Sequence, residues 1–181
     1  RELAYAIVAE VAENYDIDGV ELDFWRHPVF FKRSAQGHAL RPEDRALMTD
    51  IMRRMRFKLD EVGRVRGKLL LLNIKYPDSV GYCHKIGLDI EQWLKEDLVD
   101  ALVPGGYFQL NPWQTSVALG KKYGVPVWAC LAENRVRDPR GNTARKSAAA
   151  LRARAAAAWS AGVDAIEMFN HFDPQQSYWL E

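Results

Sequence analysis

The sequence predicts an α/β protein, the C-terminal five-strand part of a parallel (β/α)8 barrel. Three observations carry this reading: β-rich runs alternate with helical stretches, no glycine-rich phosphate loop follows any run, and every run ends in a cluster of polar and aromatic residues. Alternating strands and helices form parallel βαβ units with right-handed crossovers. A doubly wound open sheet would give the same alternation, but its nucleotide site is marked by a glycine loop that is missing here. Barrel enzymes instead place their chemistry on the loops at the C-terminal ends of the strands. Complete barrels run to about 250 residues, so one domain spanning residues 1–181 corresponds to strands four to eight, and strands one to three are expected upstream.

Leu3, Ile7 and Val11 set against Glu2, Glu10 and Glu13 predict an amphipathic helix from Glu2 to about Tyr15. Gly19 to Phe24 alternates polar and apolar residues and reads as the first strand. A long loop with His27, Pro28, Gly37 and His38 leads to a helix over Pro42 to Val62, where Pro42 suits a first turn and Asp44 suits the helix dipole. The second strand is Leu69 to Ile74, followed by a short helix from Asp89 to Lys95 and a third strand from Val99 to Val103. A helix over Trp113 to Tyr123, a strand over Val125 to Leu131, an Ala/Arg-rich helix over Thr143 to Trp159 and a strand over Val163 to Phe169 complete the order. The phrases Asp18-Gly19-Val20-Glu21-Leu22 and Asp164-Ala165-Ile166-Glu167-Met168 echo each other, as barrel repeats do.

Composition excludes several classes of function. The chain is 48% hydrophobic and 27% charged, with a formal net charge of +1 from 25 basic and 24 acidic residues. That balance offers no field for nucleic acid or an anionic membrane. No apolar run approaches the roughly 18 residues of a membrane span. Cys83 and Cys130 lack metal-ligand spacing, and the four histidines, His27, His38, His84 and His171, include no helical i, i+4 pair, so neither a metal nor a cofactor is expected. Arg145, Lys146, Arg152 and Arg154 are expected on a solvated outer helix face. The chain opens without a Met or signal peptide, so any secretion signal is expected upstream, together with the remainder of the barrel.

A period of two sends Glu21 and Asp23 to one face of the first strand and Val20, Leu22 and Phe24 to the other. Inward carboxylates cost several kcal/mol unless paired or put to use. Glu21, in mid-strand, is expected to pair with a lysine or arginine. Asp23, nearer the mouth, is the candidate for chemistry.

The segment from Tyr15 to Pro28 resembles the strand-four signature of the glycoside hydrolase-like family 10 domains, in which Asp-Gly-aliphatic-X-aliphatic-Asp-aromatic leads through Arg to Pro. The resemblance implies a TIM-barrel enzyme acting on a glycan, with Asp23 and Arg26 at its site. Where the family more often has an aliphatic residue and a tyrosine around that arginine, this chain has Trp25 and His27.

Glycoside hydrolysis uses two carboxyl groups, about 5–5.5 Å apart for retention and about 6.5–9.5 Å for inversion. Asp23 supplies one. Glu133, after the fourth strand run and across the barrel, is the expected second, with Glu167 in reserve, although the mid-strand position of Glu167 points to an interior ion pair. Trp25, Tyr76, Tyr107 and Trp113 are candidates for stacking on sugar rings, and Arg26, Asn73, Lys75, Gln109 and Asn170 for binding hydroxyls. The expected partner is a carbohydrate substrate. Two rival readings are a lyase or aldolase with Lys75 as its Schiff-base amine and a non-catalytic glycan-binding barrel.

Overall fold

The computed structural model describes residues 1–105, 109–132 and 138–169. Its five strands are β1 (Gly19–Asp23), β2 (Leu71–Pro77), β3 (Ala101–Gly105), β4 (Trp128–Ala132) and β5 (Ala165–Phe169). Its helices are α1 (Glu2–Asn14), α2 (Lys32–Ala35), α3 (Pro42–Arg66), α4 (Val80–Ile86), α5 (Ile90–Lys95), α6 (Trp113–Tyr123), α7 (Pro139–Arg145) and α8 (Ala148–Ala161).

All strand pairs are parallel. β1, β2 and β3 form one ladder, β4 and β5 another, and a single bridge from Leu102 to Val127 joins them. The order is therefore β1-β2-β3-β4-β5, an arc of short sheets rather than a complete barrel among the described residues. Register makes its two faces distinct: Leu22, Ile74 and Leu102 share one level and face, and Asp23, Lys75 and Val103 the other. In parallel sheets both faces are covered. Here the helices bury Leu72, Ile74, Tyr76, Leu102, Val127 and Ala129 of the outer face against Met52, Met55 and Leu59 of α3 and Trp93 of α5.

Local signals account for most boundaries. Pro42 opens α3, the Asp44 carboxylate accepts from the Arg41 backbone N–H at 2.8 Å, and Gly67 closes the helix at φ 68°. The Ala/Arg-rich stretch, expected as one helix, is two, because Ser147 caps α8 by accepting from Ala150 N–H at 3.2 Å. The second strand starts later than expected, with Leu69 exposed outside it and Asn73, Lys75 and Pro77 carrying the inner face further. Gly19 lies against β2 so closely that a Cβ there would sit 2.5 Å from the Leu71 carbonyl oxygen.

Two aspartates clip strands together at their N-terminal ends. The Asp100 carboxylate accepts from Leu72 N–H at 2.7 Å while its own N–H donates to Leu72 O at 2.9 Å. Asp164 repeats this on Val127, at 2.8 Å in both directions. No helix among the described residues is long and apolar enough to cross a membrane.

Candidate active site

The inner face of the arc holds a second, smaller cluster of buried residues: Trp25, Val103, Cys130, Ala132 and Phe169. Among them lies the polar group that the strand period implies. Lys75 of β2 is almost wholly buried, and its ammonium Nζ stands 2.8 Å from Glu21 Oε1 of β1 and 2.5 Å from Glu167 Oε1 of β5. β3 and β4 separate β2 from β5 in the sheet order, so this contact spans the concave side of the arc. The Phe169 ring packs over the ammonium, 4.8 Å from centroid to Nζ, and the Trp25 ring meets Phe169 edge-on at 4.5 Å.

The electrostatics follow from burial and pairing. Burial alone would lower the Lys75 ammonium, but the hydrogen bonds and charges of Glu167 and Glu21 outweigh it and hold it above its ordinary value. Burial pushes the Glu167 carboxyl up, helped by the charges of Glu21 and Asp23 and opposed by Lys75. Glu167 Oε2 is buried without a hydrogen-bond partner among the described residues, as is Asn73 Oδ1. Burial, and next the Glu167 charge, push the Cys130 thiol up as well. An amine nucleophile needs a lowered ammonium. Lys75, paired with two carboxylates, has the opposite environment.

Asp23 ends β1 on the same face, exposed, with its carboxylate accepting from the Trp25 backbone N–H at 2.8 Å. Arg26 lies over the Phe169 ring at 5.3 Å rather than forming an ion pair with Asp23 among the described residues. Trp25 is 5% exposed and so forms a packed wall with Phe169 instead of an open stacking surface.

Gln109 and Trp113 lie at an adjoining cleft that shares Cys130 and Ala132 with the inner cluster. This cleft, of about 170 Å³, is at the C-terminal ends of β3 and β4 and is also lined by Asp78, Arg145 and Arg154. Asp78 anchors its rim: the carboxylate accepts from Leu110 N–H at 3.0 Å and Asn111 N–H at 2.9 Å, while burial pushes the acid up against those bonds. Arg145 and Arg154, expected on a solvated face, both donate to the Ala132 carbonyl, at 3.2 and 3.0 Å. Tyr76, expected in the mouth, points the other way and is buried among the helices, because it is one residue from inward Lys75.

Tyr107, Glu133, Asn170 and His171 lie outside the described residues. Among the described residues no group of His, Cys, Asp and Glu is arranged to hold a metal ion. Sequence reasoning passed over Phe169 and Asp78. Phe169 was reachable from the strand period, two residues after inward Glu167; nothing local marks Asp78, whose partners lie more than 30 residues on.

No known family's sequence profile matches the chain. An 82-residue stretch is 37% identical to Chitinase A1 of Niallia circulans, covering 45% of this chain and 11% of that protein. A solved glycoside hydrolase family 18 N-acetylglucosaminidase from Paenibacillus barengoltzii is 23% identical with a TM-score of 0.49, over 71% of this chain and 43% of the other. The chain thus spans about a tenth of the curated relative and less than half of the solved one. The curated relative is named as a chitinase, so over that 82-residue stretch the likeness is to a glycoside hydrolase and not specifically to the family that the Tyr15 to Pro28 segment resembles.

Proposed function

We propose that the chain is part of a glycoside hydrolase that cleaves a poly- or oligosaccharide by carboxylate acid/base chemistry, with Asp23 as one of the two carboxyl groups. The observation that carries this reading is the placement of Asp23: exposed, at the C-terminal end of a parallel strand, on the face where Glu21, Lys75 and Glu167 meet and beside the Trp25–Phe169 wall. Strand C-terminal ends are where barrel enzymes do chemistry. The 37% identity with a chitinase over 82 residues supports the same substrate class and makes an N-acetylglucosamine polymer the first to try. Glu133 is the proposed second carboxyl, acting as acid or base across the scissile bond from Asp23.

In the full-length protein, Asp23→Asn should lower kcat on chitin oligosaccharides at least a thousandfold, equivalent to about 4 kcal/mol of transition-state stabilisation. Its melting temperature should stay near that of the wild type. If Asp23→Asn keeps most of its activity, Asp23 is not a reacting group. A wild type that binds oligosaccharides without cleaving any of them is the non-catalytic glycan-binding barrel.

A further inference from the structure

We propose that Lys75 is a positioning residue of this site: its ammonium draws Glu21 of β1 and Glu167 of β5 to one point and so fixes the spacing of the two strands that carry Asp23 and the Phe169 wall. The inference rests on the glycosidase reading and assigns a role within that same site.

β1 and β5 are the two ends of the arc, and no backbone ladder joins them among the described residues. What joins them is side-chain contact. The Lys75 ammonium takes a carboxylate from each end, at 2.8 Å and 2.5 Å, and the Phe169 ring of β5 packs on both that ammonium and Trp25, just beyond β1. The other titratable or charged groups on this face are Asp23 of β1, Cys130 of β4 and Arg26, which lies against the Phe169 ring; the inward residues of β3, Ala101, Val103 and Gly105, carry none. Two cations therefore stand against three carboxyl groups, and of the two only Lys75 forms ion pairs with Glu21 and Glu167 among the described residues. Without it Glu21 and Glu167 face each other as like charges in a partly buried space, which drives them apart. The strands that move apart with them carry Asp23 and Phe169.

Catalysis is sensitive to such movement: a misplacement of about 1 Å can cost about a hundredfold in rate. The test uses the full-length enzyme and the chitin oligosaccharides of the preceding section, with kcat expressed per folded molecule. Lys75→Met should lower kcat about a hundredfold at about pH 8 while changing KM less than threefold, since spacing matters most in the transition state. At about pH 5 the loss should shrink to about tenfold, because a proton on Glu167, whose burial favours the neutral acid, takes the place of the missing positive charge. A residue that only stabilises the fold would change the folded fraction and leave kcat per folded molecule alone.

If Lys75→Met does not fold, Lys75→Met with Glu167→Gln removes the uncompensated charge. That variant should fold, with kcat about tenfold down relative to the wild type at both pH values, because the neutral amide stands where the protonated Glu167 would. Wild-type kcat per folded molecule in whichever variant folds overturns the role of Lys75, and so does a Lys75→Met loss that is equal at both pH values. A wild type that cleaves no glycan overturns the glycosidase reading and this inference together; an active wild type with an unaffected variant overturns only the inference.

Discussion

Replacing Asp164 with alanine removes the side-chain acceptor of Val127 N–H at the point where β4 begins. Val127 is 2% exposed, so water cannot take over the 2.8 Å hydrogen bond without opening the strand. A buried donor left unpaired costs about 1–3 kcal/mol. The reciprocal bond from Asp164 N–H to Val127 O survives, which argues for the middle of that range, about 2 kcal/mol. With a urea slope of about 2–3 kcal/mol per molar, the unfolding midpoint should fall by about 0.7–1 M at unchanged slope. Asp164→Asn keeps an acceptor oxygen and should lose less than half as much. Equilibrium urea unfolding followed by tryptophan fluorescence measures all three proteins. An Asp164→Ala midpoint equal to that of the wild type, or an Asp164→Asn loss as large as the alanine loss, would refute the clip as a source of stability.

Tyr76→Phe should leave kcat and KM on the oligosaccharide substrate within twofold of wild type, because the ring lies on the helix side of β2; a tenfold loss in a steady-state assay would return Tyr76 to the site. Glu96 is held down to about 2 by hydrogen bonds from Arg53 and then Gln92. A depressed carboxyl contributes stability that is present above its ordinary value of 4.5 and lost as pH falls through the folded value. Melting temperature should therefore drop between about pH 4.5 and pH 2 more steeply in the wild type than in Arg53→Met, and parallel curves would count against that pairing.

Much of this arrangement is written in local pattern. The strand period placed Glu21 and Asp23 together and turned Val20, Leu22 and Phe24 to the helices, where Phe24 packs on Phe30 and Trp93. The same period, applied one strand later, separates Lys75 from Tyr76, and grouping the strand-end residues without regard to it put Tyr76 in the wrong place. The mid-strand position of Glu21 and Glu167 suggested ion pairs, and both found Lys75. That they would share one lysine was not legible, because Lys75 and Glu167 are 92 residues apart and meet only through the curvature of the sheet. The charged helix failed for a similar reason. Its composition suits a solvated face, but Ser147 breaks it, and Arg145 and Arg154 turn to the end of β4. Short α4 carries no strong period and escaped notice, although Ser79 caps it.

The aromatic contact over Lys75 also sets how deep the concave side can be used. With Phe169 lying on the ammonium and Trp25 against Phe169, the space below them is already occupied by the protein's own charges. Lys75 is 4% exposed beneath the Phe169 ring, which shields its ammonium from a reacting carbonyl. Carbonyl compounds should thus leave the folded protein untrapped at Lys75 by borohydride. Under the proposed glycosidase reading, a sugar approaching Asp23 would then meet the Trp25 and Phe169 rings before the ion network beneath them.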